Sequence, residues 1–511
     1  MFKSNTFFYL LRFFFAACLS VILMSCPDNY PVNKTYYVAP DGNDLYSGSQ
    51  KRPWATFEKA AASAVPGTTI YVRGGTYTQR LIITSSGTKE EPITFAACPG
   101  EIPIIDGTSI EIPDTWGGLI DSGANSHIII SGFTLQNSGS FGIHVYKGSS
   151  ITIDHNTISN SVSFGIYSGE NSNINIINNT ITKSSSEPNI WGGGILVTDS
   201  SNFEVSENTI KDGYGAGISV FQAISAGLVH NNIVQNQKGE GVFCFTEKKA
   251  LSDIDIYANK ISSCIEGLKI GAQEEGSIDR LRFYENTVSQ CSGFGVWVSV
   301  NAVKDLANYI RDIEIYKNSI SQNLTGITIS VPHNSRMERI KIYNNIIHKN
   351  TVSGISVDDY TKNTAYISSV SIVNNTVWKN GFGGNLADAH EWAYGGIFIT
   401  APNAQNILIR NNIAAQNRNF AIAVTTEVDL NQAVIDHNLV QTSWTYWCDQ
   451  GGTDLIQGDP LFTNPEAGDF SLLPGSPAIN TGSSEGAPSS DFNGTSRAEG
   501  AGVDIGAIEY K

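Results

Sequence analysis

The sequence predicts an all-β solenoid, a right-handed parallel β-helix of about a dozen coils. Two observations carry this. A phrase of the form apolar–x–apolar–x–x–Asn–x–apolar recurs down the chain, with its asparagine at Asn156, Asn179, Asn208, Asn231, Asn259, Asn286, Asn318, Asn345, Asn375, Asn412 and Asn438. The spacing runs from 23 to 37 residues, within the range of solenoid repeats. Between these phrases lie Gly-led strands such as Gly142-Ile-His-Val, Gly165-Ile-Tyr-Ser, Gly241-Val-Phe-Cys, Gly295-Val-Trp-Val and Gly396-Ile-Phe-Ile. Their alternation marks short strands with one buried face. Two such strands per coil, joined by turns too short for a helix, can pair only by stacking in parallel on the next coil. At about 4.8 Å per coil, a dozen coils make a rod roughly 60 Å long.

From the N-terminus, residues 1–25 read as an export segment rather than as fold. Lys3 and Arg12 supply positive charge, and Phe13 to Met24 form an apolar stretch too short to span a bilayer. Residues 26–35 read as a linker. The β-helix with its N-terminal cap is expected over 36–440. Within the cap, Trp54, Phe57, Ala60, Ala61 and Ala64 fall at helical spacing, so a helix over Trp54–Val65 should close the open end of the rod. The recurring asparagines then form a ladder, because Asn tolerates left-handed turns and stacked amides bond from coil to coil. A second ladder is expected five residues on, at Ser161, Ser184, Asn236, Cys264, Cys291, Asn323, Asn350, Asn380 and Asn417. Cys264 and Cys291 are therefore read as stacked free thiols, and the seven cysteines show no disulfide framework. Residues 441–511 read as an irregular C-terminal cap.

A single compact core would be hard to build from 511 residues, but a solenoid packs each coil only on its neighbours. The net charge is −16, and loss of Lys3 and Arg12 takes the mature chain to about −18. That excludes the basic face a nucleic-acid partner needs. The chain is expected to act as a monomer.

Two resemblances add to this reading. Leu23-Met24-Ser25-Cys26 resembles the bacterial lipobox, which implies lipidation of Cys26 and a chain held to the membrane only by that lipid. With Asp28 close behind, the expected location is the outer membrane or cell surface of a Gram-negative bacterium. Thr69-Ile-Tyr-Val-Arg-Gly-Gly-Thr-Tyr77, Glu91-Pro-Ile-Thr-Phe95 and Ile104-Ile-Asp-Gly107 resemble the opening of secreted β-helices of the pectate-lyase-like superfamily. Asp459-Pro-Leu-Phe462, the stretch from Phe470 to Ile479 and Val503-Asp-Ile-Gly-Ala-Ile-Glu509 resemble their C-terminal segment. The resemblance implies a polysaccharide partner along one sheet face. It does not choose a reaction, since one scaffold hosts many functions.

On the Gly-led strands, the residue after the first apolar position and the one two further on should point outward. Phe221, Phe243, Phe245 and Trp297 occupy such positions. Clustered apolar rings there would form a binding surface unless the chain's own loops cover them. Glu240 and Glu266 each precede a strand-leading glycine on adjacent coils, and Lys269 follows three residues after Glu266. Two close carboxylates repel, which raises one pKa and yields the acid and base of glycosidic hydrolysis. Polygalacturonases place aspartates at this strand position, which implies a catalytic role for the pair. Lyases similar to chondroitinase B place a calcium-ligating Glu there, so the same resemblance implies a rival: Ca²⁺ on Glu240 and Glu266, with Lys269 as base. Against it, the second outward position lacks the Lys or Arg of pectate and alginate lyases, and the Asp-Gly-Phe-Ala-x-Lys phrase is absent. A non-catalytic glycan-binding rod is the third reading. Asp358 after the Gly354 strand, and His390 and Trp392 in the long insertion over 380–395, are further candidates for walling a groove.

Overall fold

Each coil contains three strands, one more than the sequence suggested. The computed structural model describes residues 34–113, 116–185, 191–300, 307–331, 335–358, 366–382, 394–425, 428–442, 452–497 and 501–511. Among these, the strands form three parallel sheets of 15, 13 and 15 members, stacked coil on coil in one continuous right-handed β-helix, and a separate antiparallel pair, Phe462–Asn464 with Asp469–Leu472, lies in the C-terminal segment. The 13-stranded sheet is the Gly-led one, from Leu81–Ile82 to Ile422–Val424.

The extra strand comes from a bend inside the asparagine phrase. Ser149–Asp154 and Thr157–Ser159 are separate strands on either side of Asn156. The residue just before the asparagine takes the left-handed conformation: His155 at φ 54°, Ala258 at 53°, Lys317 at 55°. The asparagines themselves do not. Their role is hydrogen bonding. Asn286 donates its backbone N–H and its side-chain amide to Asn318 Oδ1, at 2.9 and 3.1 Å, and its amide also donates to the Ile256 and Tyr284 carbonyls. The pattern runs unbroken from Asn156 to Asn438.

Two rungs shift by one residue. Asn232, not Asn231, joins Asn208 to Asn259, and Asn231 is the left-handed residue before it. In the second ladder, Gln237 is the buried residue, while Asn236 is left-handed and exposed. Consecutive asparagines in His230-Asn-Asn-Ile hid the true register, which follows the inward residues Val229 and Val234.

The inside of the rod is filled by stacked Ile and Val side chains with essentially no exposure. At the N-terminal end the helix spans Phe57–Ser63, shorter than expected. Thr56 caps it by accepting from Lys59 N, and Asp44 accepts from Ala55 N and Thr56 N. Trp54 lies before the helix, buried and stacked on Tyr36 with ring centroids 4.5 Å apart. Residues of the C-terminal segment lie along the flank of the later coils. Phe470, Leu472, Ile505 and Ile508 pack with Ile346, Trp378 and Ile413, and Arg497 pairs with Glu509 while donating to Asn344 Oδ1 at 2.6 Å. Cys98, Cys244, Cys264 and Cys291 are free and buried.

Candidate active site

The Gly-led strands start where the chain passes very close to the third sheet. A Cβ on Gly241 would sit 2.3 Å from Ile261 Cγ2, and one on Gly267 would sit 2.2 Å from Val288 Cγ1. Only glycine fits there. The residue before each glycine is thereby held at one edge of the sheet, in register from coil to coil. Val242 pairs with Leu268 and Gly241 N donates to Glu266 O at 2.7 Å, so Glu240 and Glu266 are lateral neighbours. Ala216 holds the same row one coil earlier and Phe294 one coil later.

Glu266 is only 9% exposed. Burial raises its pKa to about 7; the Lys269 ammonium pulls it down, while the charge of Glu240 and a hydrogen bond with it push it up. Glu266 thus tends to keep its proton close to neutral pH. Lys269 Nζ lies 3.7 Å from Glu240 Oε1 and 4.5 Å from the centre of the Trp297 ring, a cation–π contact that fixes the amine over the pair. Trp297 is held by its indole N–H, which donates to Ser330 Oγ at 2.8 Å, and by Phe294 at 4.8 Å. An acid that keeps its proton near pH 7, beside a second carboxylate and one fixed cation, can donate a proton and accept another in one event.

No group of three or more His, Cys, Asp or Glu side chains that could hold a metal exists among the described residues. Lys269 already places a cation 3.7 Å from Glu240.

The other predicted residues divide. Phe243 neighbours Phe245 at 5.1 Å and Lys269 at 5.8 Å, so it belongs to the site. Phe221 stacks on Phe245 at 5.9 Å one coil away. Phe245 is buried, with its ring over the space a Gly271 side chain would need; it supports its neighbours rather than presenting a face. Asp358 pairs laterally with Ser330 and lies three coils beyond Lys269, about 14 Å along the rod, so it does not join the pair. His390, Trp392 and Cys26 lie outside the described residues.

Sequence reasoning missed a second cluster on this sheet. Trp116 and Trp191 stand edge-on against a bed of rings formed by Phe141, Phe164 and Tyr167, beside the pair His144–Asp121, whose Nδ1 and Oδ2 are 3.1 Å apart. A signal existed. Both tryptophans open the same tripeptide, Trp116-Gly-Gly and Trp191-Gly-Gly, each leading into a strand of this sheet.

Comparison with known proteins agrees with this architecture. Residues 36–194 match the family described as "Pel9A-like, right handed beta helix region", and residues 252–458 match "Right handed beta helix region". The chain is 26% identical over 496 residues to the uncharacterized protein YwoF of Bacillus subtilis, covering 90% of this chain and 96% of that one. It is 44% identical to pectate lyase PEL9 of Emericella nidulans over only 81 residues, which is 16% of this chain and 19% of that one. Among solved structures, the family 28 exopolygalacturonase of Yersinia enterocolitica superposes with a TM-score of 0.49 at 12% identity, covering 73% of this chain and 78% of that one.

Proposed function

The chain belongs to the pectate-lyase-like superfamily of right-handed parallel β-helix proteins, and on that premise we propose that it cleaves glycosidic bonds of a polysaccharide lying along the Gly-led sheet. The observation that carries this is the raised pKa of Glu266 beside Glu240. Glu266 gives its proton to the glycosidic oxygen as the bond from the anomeric carbon breaks. Water attacks that carbon, and its proton passes to Glu240. As lateral neighbours on adjacent strands, the two carboxyls address the substrate from one face; the glycosidases whose acids flank the bond hold them about 5–9.5 Å apart. Lys269 sets a positive charge 3.7 Å from Glu240, and Phe243 and Trp297 supply apolar edges for sugar C–H groups.

The match to a pectate lyase supports a polysaccharide substrate and keeps β-elimination as the rival reaction. The engagement of Lys269 with Glu240 and Trp297 favours hydrolysis. We also propose that the chain is exported and anchored through a lipid on Cys26 at the outer membrane or cell surface, on the strength of its apolar N-terminal segment.

The test is a panel of neutral and uronate polysaccharides followed for new reducing ends and for the ultraviolet absorbance of unsaturated uronates, with and without a chelator. New reducing ends without absorbance, insensitive to chelator and lost in Glu266→Gln, are expected. Absorbance that chelator abolishes would replace hydrolysis by calcium-assisted lysis. Binding with neither signal would make the rod a non-catalytic glycan-binding protein.

A further inference from the structure

The aromatic cluster around Trp116 and Trp191 is set apart from the Glu pair and is not needed for its chemistry. Trp116 and Trp191 are 49% and 54% exposed, unusual for indoles that already touch several rings. Both stand nearly perpendicular to the ring bed. Trp116 meets Phe141, Tyr167 and His144 at interplanar angles of 83, 70 and 75°, and Trp191 meets Phe164 and Tyr167 at 80 and 78°. Tyr167 is their common neighbour, with centroids 5.1 Å from Trp116 and 6.3 Å from Trp191. The two indoles thus rise on either side of one buried phenol.

The floor is rigid. Tyr167 and His144 are each 5% exposed, and Ser163 Oγ donates to the Trp191 carbonyl at 2.6 Å, fixing one upright. His144 meets Asp121 through Nδ1 at 3.1 Å, and its buried Nε2 has no hydrogen-bond partner. It is a polar atom beneath the cluster without a partner.

Charge narrows the occupant. The cations bordering the cluster each hold a carboxylate: Arg80 with Asp121 at 3.4 Å, Lys147 with Glu170 at 3.6 Å, Lys249 with Asp199 at 2.6 Å. Among the described residues these cations are all paired, which leaves none of them free for a uronate. Half-exposed indole rings and described border cations that are all paired together suit an uncharged pyranose.

We propose that Trp116 and Trp191 form a remote subsite that grips a neutral sugar of the same polysaccharide that the Glu pair cleaves. This rests on the hydrolytic reading for its partner but not for its own existence. Tyr167 lies three coils before the Glu240 strand, about 14 Å along the sheet. That spacing leaves room for a few sugar residues between grip and cleavage point, so the subsite favours long chains over short ones.

The experiment is native affinity electrophoresis of the Glu266→Gln protein in gels containing arabinoxylan, galactan, glucomannan or dextran, with polygalacturonate and alginate as charged controls. At least one neutral gel should retard it, and adding Trp116→Ala with Trp191→Ala should weaken that retardation tenfold or more while circular dichroism stays unchanged. Retardation that ignores the double replacement, retardation only by the charged polymers, or none in any gel would each overturn the subsite. Tryptophan-dependent retardation of a polysaccharide that the wild type never cleaves would leave the subsite standing and sink the hydrolase. Glu266-dependent cleavage without tryptophan-dependent retardation would do the reverse.

Discussion

Two flanks of one rod show opposite relations to the repeat. On the sheet that runs from Thr35–Val38 to Ala433–Asp436, the outer face repeats faithfully. His230, Tyr257, Tyr284, Tyr316 and Tyr343 stack one per coil, with centroids 4.6 to 5.0 Å apart and ring planes within 10°. Beside them, charges alternate across strands: Asp255 with Arg282, and Glu314 with Lys341 at 2.8 Å. On the Gly-led sheet, the outer rows change residue at almost every coil, from Phe164 through Gly193, Ala216, Glu240 and Glu266 to Phe294. Where each coil meets a copy of itself, the interactions serve the rod. Where the copies differ, the surface has a fixed direction and a centre, which a substrate needs and a structural stack does not.

The largest effect that would sharpen this contrast is at Glu266. Its replacement by Gln should cut turnover at least a thousandfold and stabilise the fold at alkaline pH. Burial raises this carboxyl to about 7, above its value in the unfolded chain, so ionising it opposes folding. The penalty is absent below the unfolded pKa near 4.5, grows as pH rises through 7, and levels off at roughly 3 kcal/mol. Melting temperatures of the variant and parent should coincide at pH 4 and separate at pH 8, the variant melting higher. A variant that melts lower at pH 8 would mean that Glu266 is a structural partner and not a strained acid.

The opposite pattern is expected on the ladder. Asn286→Ala removes the side-chain amide that donates to Asn318, Tyr284 and Ile256, keeps the backbone N–H bond to Asn318, and leaves Asn259 without its acceptor. Several buried groups lose partners at about 1–3 kcal/mol each, so a drop of about 3–5 kcal/mol is expected in urea unfolding. The protein that remains folded should keep its specific activity. A large loss of turnover with unchanged stability would break the distinction between the two regions.

How much of this was legible follows from the same contrast. The solenoid was, because each coil repeats the inward residues that its neighbours demand; Ile153, Ile176 and Val205 are successive rungs of one core row. The third strand was not, because the bend that creates it lies in φ at His155 and its equivalents, where side chains as different as Ala258 and Glu285 serve equally. A backbone requirement met by any residue leaves no pattern. The Glu pair was legible since register alone makes Glu240 and Glu266 neighbours. Their proton was legible only in outline: repulsion predicts one raised pKa, but which acid is raised depends on burial. Trp116 and Trp191 escaped because a search confined to strand positions passes over the residues that lead into them.

Lys269 tests how finely the Gly-led face is tuned. Its ammonium is the influence that pulls Glu266 down. Lys269→Gln should therefore move the alkaline limb of the pH–rate profile, which reports the proton on Glu266, upward by roughly one unit. Turnover at the optimum should fall less than in Glu266→Gln, since both carboxyls remain. An alkaline limb that stays in place would detach that limb from Glu266.

The smallest effect belongs to the stack. Tyr284→Leu removes one ring between Tyr257 and Tyr316, at 5.0 and 4.9 Å. Stacked rings contribute about 0.5–1.5 kcal/mol beyond the area they bury, and leucine restores much of that area on a half-buried face. A loss of about 1 kcal/mol is expected, with activity and polysaccharide retardation unchanged. The stacked rings cover one another's faces and offer solvent mainly their edges, whereas a sugar packs its C–H groups against a face. If Tyr284→Leu weakened retardation as strongly as replacement of Trp116 and Trp191, exposure of ring faces would no longer separate the binding flank from the structural one, and the regular flank would have to be counted as glycan-binding surface as well.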